Sequence, residues 1–214
     1  MPVRAGWWHV RVFIAEKPSM AMDIARALGS FRRGNGYFET DKGCVTFCIG
    51  YLLGQAPPEA YDAGLAKDKP WTFDTLPIVP AVWQHEVNPK TREQLAVIAS
   101  LLKRATTVIH AGDAGREGQL IVDEVLQHCG FRGRVERLWL QSMTPDAIRK
   151  ALGKMKDNRE HAGLSAAATA RARADWLTGM NLTRAFSIPW KRGGNGGALH
   201  IGRVKTPTLC FVVE

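Results

Sequence analysis

The sequence predicts an α/β fold, in which a parallel sheet is flanked by helices and followed by a mainly helical segment. From about residue 9 to residue 156, β-branched apolar runs alternate with stretches of helical periodicity, as in strand–helix–strand units with right-handed crossovers. After residue 156 the composition shifts toward alanine and arginine, which favour helix. We therefore expect one domain over residues 1–156 and the start of a second over residues 157–214.

The first strand and helix lie near the amino terminus. Val10–Ala15 is apolar on both faces, as expected of a buried parallel strand. Pro18 and Ser19 then open a helical stretch that ends at Gly29, with proline at a position that helix N-termini favour. The apolar residues of this stretch recur at helical spacing, and they are Met20, Ile24, Ala27 and Leu28.

The middle of the chain combines a hairpin, a long loop and a helix. Tyr37–Ile49 predicts a hairpin that turns at residues 41–43. Residues 50–80 are rich in proline, glycine and aromatic residues and predict a long ordered loop, which serves either function or packing alone. The next predicted elements are a short strand over Trp83–Val87 and a helix over Pro89–Arg104.

A second strand and helix meet at residues 111–117. The strand ends at Val108–Ala111, and the following helix has an apolar face that contains Leu120, Ile121, Val125 and Leu126. Val135–Leu140 predicts a further strand. Thr144 and Pro145 then predict a helix start, because threonine caps helices well and proline suits the first helical position.

The last part of the chain is basic. Ser165–Leu177 predicts a helix that continues through Arg184. Ser187–Gly197 predicts a basic, glycine-rich loop, whose backbone either approaches phosphates closely or acts as a flexible linker. From His200 the chain leads into an apolar segment that stops at Glu214 without a capping signal, which we interpret as truncation.

The composition indicates which class of protein this is and in which cellular compartment we expect it. A hydrophobic content of 45% with 23% charged residues indicates a soluble globular chain. A net charge of +9 favours an anionic partner such as nucleic acid, although charge alone is also compatible with an ordinary basic protein. The four cysteines include no Cys-x-x-Cys pair, so we expect reduced thiols, and the absence of a signal-like or membrane-spanning stretch predicts a cytoplasmic protein.

Two acidic residues flank the predicted junction after Ala111. Asp113 follows the strand, and Glu117 falls in the first turn of the next helix. Carboxylates at the carboxyl end of a strand in an open α/β sheet point to the ligand crevice, and hard divalent ions such as magnesium prefer carboxylate oxygens. The same residues also suit helix capping and the helix dipole. A second acid, Glu16, stands with Lys17 at the first strand–helix junction and favours the metal interpretation over a solvent-exposed turn.

In order along the chain, these features resemble the amino-terminal part of type IA DNA topoisomerases, most closely the topoisomerase III branch. The resemblance covers nearly the whole chain after about residue 10, and ordered matches are more specific than a single one. The matching stretches are Phe13–Ser19, Leu76–Pro80 with Trp83, His110–Asp113 with Arg116–Leu120, Arg171–Leu177, and Gly202–Val204 with Thr206 and Pro207.

The resemblance implies a Toprim domain, which is a Rossmann-like fold, and a role for each matching residue. Glu16 would lie at the cleavage site and serve in proton transfer, and Lys17 would stabilise phosphate charge. The metal ligands for Mg²⁺ would be Glu16, Asp113 and Glu117. Single-stranded DNA would be contacted through its backbone by Arg116, Arg171, Arg173, Arg184, His200, Arg203 and Lys205. The family acts without a nucleotide cofactor or a membrane, and we expect a monomer.

Three departures from the family pattern qualify this picture. The family motif is Asp-x-Asp-x-Glu, and its middle acid is Gly115 here, which predicts weakened metal binding because one carboxylate is lost. The family usually has Ser where His200 stands and Gln where Lys205 stands. The family nucleophile is a tyrosine, and the three tyrosines of this chain, Tyr37, Tyr51 and Tyr61, match no nucleophile motif.

The leading hypothesis is therefore the amino-terminal part of a topoisomerase III-like enzyme that cannot cleave DNA by itself. One alternative is a non-catalytic DNA-binding remnant or regulator, which Gly115 favours. The other is a different Toprim enzyme, such as a primase or nuclease, against which the segments at Arg171–Trp176 and Gly202–Pro207 argue.

Overall fold

A computed structural model of the chain describes residues 10–213, and these residues fall into two compact units. One unit contains residues 10–54 and 87–168, and the other contains residues 55–86 and 169–213. The predicted domains, residues 1–156 and 157–214, place residues 55–86 with the first domain, and residues 1–9 and Glu214 lie outside the described part. Those bounds stay a prediction.

The described residues contain both strands and helices up to residue 157 and only helices after it. The strands are β1 (Val10–Ala15), β2 (Phe31–Arg33), β3 (Tyr37–Thr40), β4 (Gly43–Phe47), β5 (Leu53–Gln55), β6 (His85–Val87), β7 (Ala105–Ala111), β8 (Arg134–Arg137) and β9 (Lys156–Asp157). The helices are α1 (Pro18–Leu28), α2 (Arg92–Leu102), α3 (Arg116–His128), α4 (Pro145–Leu152), α5 (Ala162–Arg192) and α6 (Lys205–Val213). Short 3-10 turns span Pro58–Ala60, Ala63–Leu65, Phe73–Thr75, Pro89–Thr91 and Asn158–His161.

The first unit is built on a seven-stranded sheet of order β2-β3-β4-β1-β7-β8-β9. Its central strands β4, β1, β7 and β8 pair in parallel, whereas β2, β3 and β9 pair antiparallel at the two edges. The predicted parallel sheet is thus confirmed at its centre and corrected at its edges to a mixed sheet. At one edge, β2, β3 and β4 follow one another through short turns, which can join only antiparallel strands.

Two apolar cores cover the two faces of the sheet. Phe13 and Ala15 of β1 pack with α1 and α4, while Val12 and Ile14 pack on the other face with α2 and α3. Successive strand residues point to opposite faces, so the apolar run from Val12 to Ala15 in β1 reflects burial on both sides. The predicted inward residues of α3, Leu120, Ile121, Val125 and Leu126, are all buried.

The second unit consists of a loop packed on α5. The indole Nε1 of Trp176 donates to the carbonyl of Ala56 at 3.0 Å. Asn181 accepts from the Ile78 amide at 2.6 Å and donates to the Ile78 carbonyl at 3.0 Å. The loop predicted over residues 50–80 therefore contains strand β5 and short 3-10 turns, and its Leu76–Pro80 stretch packs on the helix.

The carboxyl-terminal elements correct one prediction. The helix that was predicted to stop before Ser187 continues to Arg192, so residues 187–192 of the predicted loop are helical despite Pro189. Burial of Ser187 and Ile188 explains the difference, because tertiary packing overrides the local cost of proline. None of the helices within residues 10–213 combines the length and the apolar character needed to cross a membrane.

Candidate functional site

The acidic junctions lie side by side because their strands are neighbours. Ile14 of β1 pairs with His110 of β7, and Ala15 pairs with Ala111. The chain therefore leaves both parallel strands on the same side of the sheet, at the carboxyl ends of the strands, where open α/β folds bind ligands. Glu16 and Asp113 emerge from these strand ends.

Glu16, Lys17 and Asp113 are in direct contact. The Lys17 ammonium donates to Asp113 Oδ2 at 2.6 Å and lies 3.6 Å from Glu16 Oε1. The other Glu16 oxygen, Oε2, accepts from the backbone N–H of Asp113 at 3.2 Å. The hydrogen bond to Asp113, followed by the charge of Glu16, raises the pKa of Lys17, so the lysine stays protonated and bridges the two carboxylates.

Glycines allow this close approach. A Cβ atom on Gly118 would lie 2.6 Å from the backbone N and O of Asp113 and 2.7 Å from Glu16 Oε2. A Cβ atom on Gly112 would collide with the carbonyl of Gly118. The first turn of α3 therefore sits directly against the strand end only because both positions lack a side chain.

Glu117 has different partners. Its Oε2 accepts from the Tyr51 hydroxyl at 2.6 Å, and its Oε1 lies 3.5 Å from Arg116 Nε. Burial, followed by the hydrogen bond to Glu117, raises the pKa of Tyr51. Tyr51 is thus a neutral hydroxyl donor to Glu117, a contact that the sequence did not predict.

Asp113 does not cap helix α3. The N-cap residue is Gly115, which has no side chain to accept a hydrogen bond, and the Gly115 amide donates to the Asp113 carbonyl at 2.9 Å. A Cβ atom on Gly115 would meet nothing within 4 Å. The space where the family pattern has its middle acid is therefore open.

A buried arginine shapes the loop that carries Asp113. Arg137 at the end of β8 is only 1% exposed. Its guanidinium donates to the carbonyls of Gly112 at 2.9 Å and Asp113 at 2.8 Å, and also to that of His110 at 3.1 Å. Burial lowers the pKa of Arg137 to about 10, so it is charged at neutral pH. The guanidinium group has five N–H donors in a fixed arrangement, so it can donate to several carbonyl groups of this loop at once.

Arg137 continues into a polar network beneath the loop. Its Nε donates to Gln119 Oε1 at 2.7 Å, and Gln119 Nε2 donates to both Asp123 at 2.9 Å and Asn158 at 2.8 Å. His110 accepts from the Gly112 amide through Nδ1, so its Nε2 carries the proton and donates to the Gln119 carbonyl at 3.0 Å. Burial lowers the pKa of His110 to about 4. These hydrogen bonds fix the backbone of the loop that carries Asp113.

The acidic residues are not gathered around a single point in this arrangement. Within residues 10–213, no group of three His, Cys, Asp or Glu side chains converges as a metal ion would require. Lys17 stands between Glu16 and Asp113, and Glu117 is held by Tyr51. The donors are carboxylate oxygens, the type that magnesium prefers, so the assignment of Glu16, Asp113 and Glu117 as metal ligands stays a prediction.

Two of the predicted DNA contacts meet at one carboxylate in the second unit. Asp175 accepts from Arg203 Nε at 2.5 Å and lies 3.8 Å from Arg171 Nε. The hydrogen bond from Arg203 lowers the pKa of Asp175. This cluster holds both arginines on an exposed part of α5 and the following segment.

Arg173 and Arg184 lie against aromatic rings. The guanidinium carbon of Arg173 is 5.2 Å from the centre of the Trp83 ring, and that of Arg184 is 4.9 Å from the Trp71 ring. Arg184 is only 8% exposed, and burial lowers its pKa. Among the described residues, the Nε atoms of both arginines are buried without a hydrogen-bond partner. Arg184 therefore packs within the unit, whereas His200 and Lys205 are exposed.

Several residues of the site carry no recognisable signal in the sequence. Gln119 and Asp123 are one helical turn apart on α3, but Arg137 and Asn158 lie far from them in the sequence. Because arginine is rarely buried, no local pattern indicated this network. Tyr51 sits in a loop without periodicity. Glycine at position 118, inside a predicted helix, was the one local signal of close packing.

Comparisons with known proteins assign the family. Residues 11–142 match the Toprim domain, and residues 159–214 match the family described as DNA topoisomerase. DNA topoisomerase 3 of Salmonella typhimurium is 45% identical over 211 residues, which are 96% of this chain and 32% of the relative. DNA topoisomerase 3 of Staphylococcus aureus is 39% identical over 203 residues, which are 94% of this chain and 27% of the relative.

A solved structure supports the fold alone. Full-length topoisomerase I from Thermotoga maritima aligns with a TM-score of 0.56 and 19% identity, covering 84% of this chain and 26% of that one. The chain spans about a third of the length of the relatives it matches. Since the Toprim match exceeds half of the chain, the resemblance drawn from the motifs is confirmed: the chain belongs to the Toprim family and continues into a segment that matches DNA topoisomerases.

Proposed function

We propose that this chain is the amino-terminal part of a topoisomerase III-like, type IA DNA topoisomerase, which breaks one DNA strand, passes another and reseals the first. The observation that carries the proposal is the contact of Glu16, Lys17 and Asp113 at one edge of the parallel sheet. A protonated lysine between two carboxylates is suited to phosphodiester chemistry, because it stabilises phosphate charge beside proton-transferring groups.

Glu16 and Lys17 differ in exposure in a way that supports separate roles. The Glu16 side chain is 12% exposed and fixed by the Asp113 amide, whereas the Lys17 side chain is 51% exposed. We assign Lys17 to a DNA phosphate that reaches this edge. Glu16 then acts as the oriented proton donor or acceptor beside it.

The proposed metal ion is Mg²⁺, bound weakly. Magnesium is usually held by one or two carboxylates and several waters, and Asp113 with Glu117 supplies those carboxylates beside Glu16. Gly115 removes the middle carboxylate, and Lys17 already neutralises Asp113. The affinity should therefore be low, and we assign no reaction step to the ion.

The proposed DNA contacts are phosphate-directed. Arg116, Arg171 and Arg203 are exposed, and the chain carries a net charge of +9. Exposed arginines neutralise phosphates and give salt-dependent, sequence-independent affinity, as binding to single-stranded DNA requires. Arg173, His200 and Lys205 complete the proposed set. Arg184 is buried against Trp71, and we assign it to supporting this surface from within. The partner is DNA, and the chain acts as a cytoplasmic monomer without a nucleotide cofactor.

The covalent step needs a tyrosine that this chain does not offer in reactive form. Tyr51 is the tyrosine nearest to the predicted site through its bond to Glu117, but its raised pKa makes its hydroxyl a poor nucleophile at neutral pH. We propose that the nucleophile belongs to the part of the relatives that this chain does not match, so that the chain alone does not cleave DNA.

A chimera tests this proposal. The chain would replace the matching first third of DNA topoisomerase 3 from Salmonella typhimurium, and relaxation of negatively supercoiled plasmid would be measured with and without magnesium. We expect magnesium-dependent relaxation that is lost in Glu16→Gln. A folded chimera that stays inactive even with Gly115→Asp would overturn the catalytic half of the proposal.

A non-catalytic DNA-binding protein is the second candidate, and Gly115 is the observation that favours it. In that case single-stranded DNA binding would persist unchanged in Asp113→Ala, and the chimera would remain inactive. Absence of DNA binding at low salt would exclude both candidates.

A further inference from the structure

The first unit contains a cavity that the acidic site does not use. Its volume is about 390 Å³, and it lies between the end of β8, the end of α4 and strand β9 with the turn that follows. This volume falls within the range of small-ligand pockets. Among its lining residues are Arg137, Trp139, Lys150, Lys154, Lys156 and His161.

The charged residues that line the cavity are all basic. Lys150 lies in the last turn of α4, Lys154 follows that helix, and both are exposed. Neither has an ion-pair partner among residues 10–213, whereas Lys156 lies 3.2 Å from Glu160. Burial lowers the pKa of His161, so the positive charge at neutral pH comes from the lysines and Arg137. Such a surface attracts an anion.

An aromatic wall forms the other side of the cavity. The rings of Trp139 and His161 stack at 5.1 Å with an interplanar angle of 11°, and the Arg137 guanidinium lies 4.8 Å from the Trp139 ring. Both rings line the cavity, and aromatic side chains beside lysines and arginines are the combination on which nucleobases and their phosphates bind. An inorganic anion has no aromatic group that could stack on these rings.

The cavity also lies at the carboxyl ends of the parallel strands, as the acidic residues do. Arg137 ends β8, which pairs in parallel with β7, the strand that leads to Asp113. One guanidinium nitrogen of Arg137 donates to the Asp113 carbonyl at 2.8 Å, while the same side chain lines the cavity. A strand of DNA that reaches Asp113 would therefore pass near this cavity.

We propose that this cavity binds one nucleotide unit of a single DNA strand, with the phosphate at Lys150 and Lys154 and the base against the wall of Trp139 and His161. This inference rests on the proposed action on single-stranded DNA and extends its binding surface beyond the residues implied by the topoisomerase resemblance. Arg137 is already saturated by backbone carbonyls, so the two unpaired lysines supply the phosphate contacts.

Charge reversal of the two lysines tests the phosphate half of the inference. Anisotropy of a labelled oligothymidylate of about ten nucleotides would be measured with the whole chain, from roughly 50 to 200 mM salt. We expect the double variant Lys150→Glu, Lys154→Glu to weaken binding at least about tenfold. The salt slope should also fall by about 0.7, which is the contribution of one single-strand phosphate contact.

The matched control is Lys42→Glu, Lys90→Glu, which makes the same change in net charge at exposed positions outside the cavity. It should weaken binding less than about threefold, because it removes only long-range attraction. Equal losses in the two double variants would overturn the inference. Absence of DNA binding by the unchanged chain at low salt would instead overturn the proposed function itself.

The base half is tested by Trp139. We expect the oligonucleotide to change the tryptophan fluorescence of the chain. This change should become smaller in Trp139→Phe while the affinity stays within about threefold, because phenylalanine still stacks. An abasic oligonucleotide of the same length should bind about tenfold more weakly. Equal binding of the abasic strand would contradict the base contact. Thymidine monophosphate should compete only weakly, because it lacks the contacts of the neighbouring nucleotides. Competition as strong as that of the oligonucleotide would assign the cavity to a free nucleotide and overturn the assignment to a DNA strand.

Discussion

The ammonium nitrogen of Lys17 lies 2.6 Å from Oδ2 of Asp113, although the two residues are 96 positions apart in the sequence. The contact exists because β1 and β7 are parallel neighbours that end in register. It makes Lys17 a competitor for any cation that uses the Asp113 carboxylate. The positive charge that would meet a DNA phosphate therefore also limits the affinity for a metal ion.

Removal of this competitor should strengthen metal binding. In Lys17→Met, Asp113 loses its ion pair, and we expect the affinity for Mg²⁺ or Mn²⁺ to rise by up to about fivefold, because exposed pairs are worth at most about 1 kcal/mol. Calorimetric titration of the chain without DNA measures this. Lys42→Met serves as the control and should leave the affinity unchanged. An unchanged affinity in Lys17→Met would mean that Asp113 is not a ligand.

Gly115→Asp should restore part of the metal site. A Cβ atom there meets nothing within 4 Å, and the extended backbone, with φ of 175°, accepts any residue. We expect divalent affinity to rise about tenfold, since a carboxylate a few ångströms from the ion contributes roughly 1.4 kcal/mol.

The control for this substitution is Gly115→Asn. Both side chains can cap α3, so both variants should gain a few tenths of a kcal/mol in the free energy of unfolding relative to glycine. Only the aspartate adds a charge. If Gly115→Asn raised metal affinity as much as Gly115→Asp, the gain would come from helix order and not from a new ligand.

The elements that were predicted correctly carry strong local signals. The short, β-branched apolar run in Val10–Ala15 located the strand, and the repeat of apolar residues every three to four positions located α3. Thr144 accepts from the Ala147 amide at 3.4 Å, as the predicted helix cap should. These signals lie within one element, where short-range sequence determines structure.

The elements that were missed depend on distant contacts. Strand β2 has only three exposed residues, two of them arginines, and β9 has two residues, so neither shows a period. The burial of Arg137 requires carbonyl groups from residues 110–113, which no local pattern reveals. The contact between Lys17 and Glu16 on one side and Asp113 on the other was anticipated, because strand order in parallel sheets brings such junctions together. The position of Glu117 against Tyr51 was not.

Arg137 should be among the positions most sensitive to substitution. Arg137→Met would leave the carbonyls of His110, Gly112 and Asp113 without a donor in a buried site, so we expect a loss of about 3 to 5 kcal/mol in the free energy of unfolding. Arg137→Lys should also destabilise clearly, because one ammonium cannot reproduce the guanidinium fork. Urea unfolding measures both.

Arg134 on the same strand provides the comparison. It is exposed and pairs with Glu136 at 2.6 Å, so Arg134→Lys should change the free energy of unfolding by less than about 0.5 kcal/mol. Similar losses in Arg137→Lys and Arg134→Lys would show that the carbonyl contacts of Arg137 contribute little.

The pH dependence of stability should contain two opposing contributions. Burial lowers the pKa of His110 from 6.5 to about 4, so between these values the unfolded chain binds a proton that the folded chain does not, and stability is lost as pH falls. Burial raises the pKa of Glu124 from 4.5 to about 7. The folded chain therefore holds the extra proton there, and stability is lost as pH rises from 4.5 through 7.

Two substitutions separate these contributions. In His110→Gln the rise of stability between pH 4 and 6.5 should disappear, a change of roughly 3 kcal/mol across the window, so that the decline from Glu124 becomes visible. In Glu124→Gln that decline should vanish, and stability should rise toward neutral pH. Urea unfolding at several pH values gives both curves. Each substitution also lowers the free energy of unfolding by an amount that does not depend on pH. The comparison therefore uses only the slope of the free energy of unfolding against pH. A wild-type minus His110→Gln difference that stays constant from pH 4 to 7 would show that His110 titrates alike in the folded and unfolded chain, which its bonds to Gly112 and Gln119 do not allow.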